Sequence, residues 1–165
     1  MNAFPRLLLA GFAVVPLGAP VTAQRADDQI QPKSIQLMHQ AEALISAGKL
    51  EDAENLLETA LAVDPRNRWA FIDIAKVADK QRLFGKAVLM TDKALLIEPN
   101  DPDAIAVQGE AMVQMGATAR AQQNLQKLQQ ICGAKGCPQV AQLSAAISRG
   151  PAVASAKAPE SPKKD

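Results

Sequence analysis

The sequence predicts an all-α fold, an α-solenoid of three helical hairpins followed by a C-terminal capping helix. The first observation is a pattern that returns every 34 residues, in which ALAVDP at 60–65 becomes ALLIEP at 94–99. A fixed period of this length is typical of stacked helical repeats. The second observation is the scarcity of aromatic residues, with four Phe, one Trp and no Tyr. A core of small aliphatic side chains favours closely packed helices over a β-sandwich.

Each repeat unit is predicted to contain two helices. Apolar residues recur at spacings of three and four, which places them on one buried stripe of each helix. Between its helices the first unit turns at Gly48, the second near Arg82 and the third at Gly116. Pro65 follows Asp64 and ends the first unit, because proline cannot continue a helix. The predicted units are residues 34–67, 68–101 and 102–133.

Small residues mark the same positions in successive units. The third unit departs at its end, where Leu128 and Gly133 replace the last alanine and the proline. This departure predicts that the third unit packs against something other than another repeat. The marks are Ala41, Ala53, Ala60 and Pro65 in the first unit, Ala75, Ala87, Ala94 and Pro99 in the second, and Gly109 and Ala121 in the third.

This pattern resembles the tetratricopeptide repeat, a helix–turn–helix unit of 34 residues closed by proline. The resemblance covers residues 34–133. It implies a right-handed α-solenoid in which the first helix of each unit lines a concave groove. Because no single unit can bury its apolar face, the stack also needs a capping element at its end. Residues 138–149 supply one, since Pro138 can open a helix on which Val140, Leu143 and Ile147 share a face.

The N-terminal residues 1–23 have the pattern of a secretory signal peptide. Arg6 is followed by the apolar run LLLAGFAVVPLGA and by small residues ending at Ala23. A membrane anchor is the alternative. It is less favoured because Pro16 interrupts a run that is shorter than the roughly 20 apolar residues needed to span a bilayer. We therefore expect a periplasmic or secreted protein, with no stable membrane insertion after cleavage.

The segments that flank the repeat domain, 34–149, are predicted to lack regular structure. Residues 24–33 are polar and have no clear period, so we expect a short flexible lead. Residues 150–165 are rich in Pro, Ala, Ser and Lys, a composition that cannot bury enough apolar surface to offset the entropy of ordering. We expect this tail to be disordered.

The only cysteines, Cys132 and Cys137, lie between the third unit and the capping helix. In an oxidising compartment a close pair of this kind predicts a disulfide that joins the two elements. Two alternatives are a redox-active dithiol and a metal site. The spacing differs from that of thioredoxin-like motifs, and His39, the single His, cannot complete a zinc site without further ligands.

Catalysis is not predicted. No glycine-rich phosphate loop, serine-centred turn or paired-carboxylate motif is present. His39 has only Glu42 as a polar neighbour of opposite charge at helical spacing. The 18 basic and 17 acidic residues nearly balance, which gives no broad basic field for nucleic acid. We expect no cofactor and no metal.

The resemblance therefore implies a partner-binding groove. Basic and Asn residues that clamp a peptide carboxylate in chaperone-binding members of the family are missing here, so an amphipathic helix or an extended segment is the expected ligand. Trp69 is either a groove contact or a packing residue between the first two units. Carried over by repeat phase, the groove positions are Ile35, Met38, His39, Glu42, Trp69, Ile72, Asp73, Lys76, Asp103, Ala106, Val107 and Glu110.

Taken together, the sequence predicts a non-catalytic protein–protein interaction module of the bacterial cell envelope. Two alternatives remain open. The chain could be a self-associating structural subunit, or it could take part in thiol–disulfide chemistry through Cys132 and Cys137.

Overall fold

A computed structural model describes residues 30–152 of the chain, and within them every regular element is helical. The predicted signal peptide, most of the predicted lead and the tail beyond Ala152 lie outside the described residues. No helix within 30–152 is long and apolar enough to cross a bilayer. The elements are α1 (Pro32–Ser46), α2 (Leu50–Val63), α3 (Arg68–Lys80), α4 (Phe84–Ile97), α5 (Pro102–Gln114), α6 (Thr118–Cys132), a short 3-10 helix (Gly133–Lys135) and α7 (Pro138–Arg149).

The helices pack in consecutive pairs. Helix α1 packs against α2, α3 against α4, and α5 against α6, while α2 contacts α3 and α4 contacts α5 to join one pair to the next. Helix α7 packs against both α5 and α6 and closes the stack. The predicted all-α solenoid of three hairpins and a capping helix is confirmed.

The lead predicted at 24–33 was wrong at its last residues, because the fold begins earlier. Ile30 is buried, and the backbone N–H of Gln31 donates a hydrogen bond of 2.9 Å to Asp64 Oδ2. Pro32 then occupies the first position of α1, where its missing N–H would have had no helical partner. The contact with Asp64 ties the start of the first unit to the loop that ends it.

Small residues form the contacts at which helices approach most closely. Ala41, Ala53 and Ala60 are fully buried in a core shared by α1, α2 and α3. The corresponding residues of later units, Ala75, Ala87, Ala94 and Ala121, are also fully buried. Since alanine projects only a Cβ atom, the helix backbones approach closely without voids, and the larger residues fill the spaces between hairpins.

The third unit has Gly109 where the earlier units have alanine, and the reason is Leu143. A Cβ atom built on Gly109 would lie 2.6 Å from Leu143 Cδ1 and 2.7 Å from Leu143 Cδ2. Leu143 comes from α7 and is fully buried beside Leu128. Glycine therefore lets the capping helix lie closer to α5 than a side chain would permit, and Leu128 fills the space next to it.

The turn inside each hairpin requires a positive φ angle. Gly48 and Gly116 have φ angles of 75° and 77°, and Arg82 has 64° at the equivalent point of the second unit. A residue with a Cβ atom disfavours this conformation by roughly 1 kcal/mol relative to glycine. The turn forms in spite of Arg82 because the packed helices on either side fix the path of the chain.

Buried polar groups join the starts of successive units. Asn67 accepts a hydrogen bond from Ala70 N as the N-cap of α3, and its Nδ2 donates to Ser34 Oγ at 2.9 Å. Ser34 Oγ in turn donates to the carbonyl oxygen of Ala60. At the next junction Arg68 Nε lies 2.9 Å from Asp101 Oδ2, and Asp101 caps α5.

We predict that Gly109→Ala destabilises the protein. Overpacking against Leu143 costs about 1–3 kcal/mol, which exceeds the gain of up to about 1 kcal/mol in helix propensity. Urea unfolding followed by circular dichroism measures the effect. Gly85→Ala in α4 is the matched control, because a Cβ atom there meets nothing within 4 Å. That control is expected to gain stability, and equal behaviour of the two variants would contradict the close contact.

Candidate functional site

The first helices of the three units line one side of the stack. Helix α3 contacts both α1 and α5, so side chains from all three reach a common groove. The groove contains a cavity of about 430 Å³. Its lining residues are Ile35, Met38, His39, Glu42, Trp69, Ile72, Asp73, Lys76 and Asp103.

Three of the sequence-predicted groove residues lie outside this cavity. Ala106 is 1% exposed and Val107 is 5% exposed, so the prediction that they are accessible contact positions was wrong. Ala106 packs in a core with Leu143 from α7, and Val107 packs in the core between the second and third units. Glu110 is half-buried and accepts a hydrogen bond of 3.1 Å from Gln142 Nε2.

The capping helix thus shapes the third-unit end of the groove. Gln139 Nε2 donates to Asp103 Oδ1 at 2.7 Å, and Gln142 Nε2 donates to Glu110. Sequence reasoning missed this role of Gln139 and Gln142. The repeat period could not reveal it, because α7 lies after the last repeat and has no counterpart in the earlier units.

The floor of the cavity is apolar. Met38 is 5% exposed and Ile72 is 2% exposed, and the half-buried Ile35 and Trp69 stand beside them. These side chains come from α1 and α3. An apolar floor within a polar rim is the usual arrangement for a site that anchors a side chain of a ligand.

Trp69 lies in both of the environments that the sequence left open. Its ring packs against the core shared by the first two units and also lines the cavity. The guanidinium carbon of Arg68 lies 4.1 Å from the ring centroid, a cation–π distance. Since Arg68 is also held by Asp101, the orientation of the indole is coupled to the junction between the second and third units.

Carboxylates outnumber ammonium groups in the cavity lining. His39 Nδ1 lies 2.9 Å from Glu42 Oε2, the contact that their spacing predicted. Lys76 Nζ lies 2.9 Å from Asp73 Oδ1, and Asp103 lies across the cavity on α5. Three carboxylates therefore share the site with one lysine and one histidine.

Burial raises the pKa of Asp73, and Lys76 opposes that effect only in part. The neighbouring carboxylates of Glu42 and Asp103 raise it further, so the three groups are close enough to interact. Farther along the same helices, burial also raises the pKa values of Asp79 and Glu110. The first helices therefore have a line of partly desolvated carboxylates that extends beyond the cavity.

No group of His, Cys, Asp and Glu residues within 30–152 is arranged to hold a metal ion. The apolar floor and the carboxylates can bind and orient a ligand. His39 has a side chain that is 62% exposed, and its polar contact is with Glu42 on the same helix.

Cys132 and Cys137 lie close together where α6 ends and α7 begins. The structure pairs their sulphur atoms, with the Cα atoms 5.6 Å apart, which lies in the usual range for a disulfide. Gly133 and Gly136 have positive φ angles within the short loop that brings the two residues together. The pair joins the end of α6 to the start of α7 and does not line the groove.

Known repeat proteins have the same architecture as this chain. The tetratricopeptide repeat family matches residues 44–111. The chain is similar to the Sgt2 TPR domain from Aspergillus fumigatus, with 20% sequence identity, a TM-score of 0.66, and coverage of 82% of this chain and 89% of that one. It is also similar to the first TPR of Spaghetti (RPAP3) bound to the HSP90 peptide SRMEEVD, with 17% identity, a TM-score of 0.64, and coverage of 74% and 94%.

A bacterial structure gives a similar match. The Yersinia enterocolitica type III secretion chaperone SycD, in complex with a peptide of the translocator YopD, shares 20% identity at a TM-score of 0.62, over 73% of this chain and 92% of that one. None of the curated proteins matches the chain. The family match and the shared architecture define an α-solenoid of helical repeats. Over residues 44–111 the chain is similar to the tetratricopeptide repeat family, and its fold is that of the tetratricopeptide repeat domains named above.

We predict that the stability contributed by Asp73 depends on pH. Because the pKa of Asp73 is raised in the folded state, the folded protein binds more protons than the unfolded chain between the two pKa values. This contribution is present at low pH and is lost as pH rises through the folded-state pKa. Asp73→Asn should therefore become more stable relative to the parent protein as pH increases from about 4 to about 7.

Chemical denaturation across that pH range measures the difference. The lost ion pair with Lys76 should matter little, since Lys76 is exposed. Asp52→Asn, at an exposed position of α2, is the matched control and should show a smaller change with pH. A stability difference for Asp73→Asn that stays flat or decreases with pH would contradict the desolvation of this carboxylate.

Proposed function

We propose that this protein is a non-catalytic binding module that holds a segment of another protein in the groove formed by α1, α3 and α5. The observation that carries the proposal is the cavity of about 430 Å³, whose apolar floor is built from two repeat units and whose rim is acidic. The related folds of Spaghetti and SycD hold peptides, which supports a peptide ligand here as well.

The groove favours one anchoring side chain and its flanking residues. Met38 and Ile72 are held in place by the core beneath them, so the floor is ordered before a ligand arrives. Pre-organisation of this kind lowers the entropy cost of binding. Trp69 adds a large aromatic surface at the edge of the cavity, and such residues are enriched among those that dominate binding energy.

The proposed location is the cell envelope or the exterior of a bacterium. Support comes from the signal-like residues 1–23 and from the proximity of Cys132 and Cys137, which would form a disulfide in an oxidising compartment. We expect the protein purified from its host to begin at Gln24 and to resist thiol alkylation until it is reduced. Intact-mass spectrometry tests both points, and an uncleaved chain with two free thiols would reject the location.

In-cell photocrosslinking tests the groove. A photoreactive phenylalanine derivative at position 39 points from the rim of the cavity, and His39 is exposed enough to be replaced without loss of core contacts. We expect one reproducible protein adduct, identified by mass spectrometry. The same derivative at position 51, which is exposed on α2 and outside the cavity, is the control and should not give that adduct.

The pattern of adducts separates the possible functions. Adducts only to a second copy of this chain would assign the groove to self-association. Identical adducts from positions 39 and 51 would reject the groove as the binding site.

A further inference from the structure

Acidic residues outnumber basic residues in the lining of the groove cavity. Three acidic residues line the cavity, Glu42, Asp73 and Asp103, whereas the lining contains one lysine, Lys76. Lys76 already contacts Asp73, so its charge is partly offset within the protein. A ligand that enters the cavity therefore meets a field of net negative sign.

Beyond the cavity, α3 and α5 carry two further carboxylates, Asp79 with Lys80 nearby and Glu110 with Arg149 nearby. Asp79 and Glu110 interact with each other electrostatically, and Arg149 of α7 is the cation that opposes Glu110. Asp79 Oδ1 is buried and has no hydrogen-bond partner within residues 30–152. A buried carboxylate oxygen without a donor is costly to the folded state.

The apolar floor sets a second requirement. Met38 and Ile72 offer hydrophobic contact and no hydrogen-bonding side-chain group, Trp69 adds the surface of its ring, and the carboxylates also line the cavity. A ligand that matches both the apolar floor and the surrounding carboxylates has an apolar side chain flanked by cationic side chains. An acidic peptide such as the SRMEEVD segment bound by Spaghetti would instead place its carboxylates against those of Glu42, Asp73 and Asp103.

We propose that the groove selects a basic amphipathic segment of a partner protein, in which an apolar anchor enters the cavity and flanking Lys or Arg residues contact Glu42, Asp73 and Asp103. This inference rests on the proposed function and specifies the chemistry of the ligand. Charge complementarity provides discrimination against acidic and neutral segments, because like charges held together at an interface are strongly unfavourable.

Selection from a displayed library of random 12-residue peptides tests the inference directly. The full chain is the target, and Ile35→Arg, which fills the cavity and adds a positive charge, is the counter-target. We expect the enriched peptides to combine apolar residues with an excess of Lys and Arg. Enrichment of acidic or uncharged peptides would overturn the inference and leave the proposed function intact. Enriched peptides that bind Ile35→Arg equally well would overturn both.

A pair of variants with the same charge change then locates the interaction. Glu42→Gln with Asp103→Asn removes two exposed groove carboxylates, and Glu51→Gln with Glu58→Gln removes two exposed carboxylates from α2. Binding of the most enriched peptide is followed by the fluorescence of Trp69, the single Trp of the chain. The groove pair should weaken binding about three- to tenfold, the effect of losing two exposed ion pairs. The α2 pair should change it less than twofold by the same scale.

Salt provides an independent measure. Raising the salt concentration from about 0.05 M to about 0.5 M should weaken binding to the parent protein more than to the groove pair, because screening acts on the same charges. Equal effects of the two variant pairs, or a salt dependence that the groove pair retains in full, would overturn the assignment of Glu42 and Asp103.

Lys157, Lys163 and Lys164 give the C-terminal segment of the chain a basic composition, so the test must separate this segment from a partner protein as the ligand. Replacing all three with Gln in the full chain distinguishes it from a partner protein. We expect peptide affinity to change less than twofold. A gain of tenfold or more would assign the groove to the tail and overturn the proposal.

Discussion

The close contact between helices at small residues is the constraint on which the rest of the structure depends. Ala41, Ala53 and Ala60 have no exposed surface, and their counterparts in the second unit are equally buried. Because alanine sets a short distance between backbones, each hairpin becomes a thin layer with its first helix beside that of the next unit. At Gly109 even the Cβ atom is absent, and Leu143 of the capping helix packs in the space that it would occupy. The groove is a consequence of that regular stacking.

The sequence predicted the stacking of hairpins well, because the 34-residue period is visible within each unit and does not depend on what packs around that unit. The same phase selected the groove positions on α1 and α3, and these side chains line one cavity. The phase failed at Ala106, which packs in a core with Leu143 of α7, and at Val107, which packs in the core between the second and third units. It could not decide the role of Trp69 either, because a ring of that size reaches both the core and the cavity.

Stability and binding place opposite demands on the first helices. Asp73 is 5% exposed, and burial of its carboxylate raises its pKa, so the folded state bears a cost that an apolar residue would avoid. The buried Asn67 and Ser34 at the unit junction bear no such cost, because each is hydrogen-bonded within the protein. The polar groups that join the units are thus hydrogen-bonded within the protein. The carboxylates of Asp73 and Asp79 are less well stabilised, because burial raises the pKa of Asp73 and Asp79 Oδ1 has no hydrogen-bond partner within residues 30–152.

Whole-chain charge conceals this arrangement. The formal net charge of +1 predicts no class of partner, and the linear sequence distributes acidic residues over every unit. Folding brings some of them together, because the first helices of successive units lie side by side and line the same groove. Glu42, Asp73 and Asp103 are far apart in the chain and meet around one cavity, so a nearly neutral protein acquires an acidic site. Specificity in such a stack then depends on which side chains the first helices present to the groove. A single substitution at one of these positions alters the field that a ligand meets without disturbing the alanine contacts beneath it.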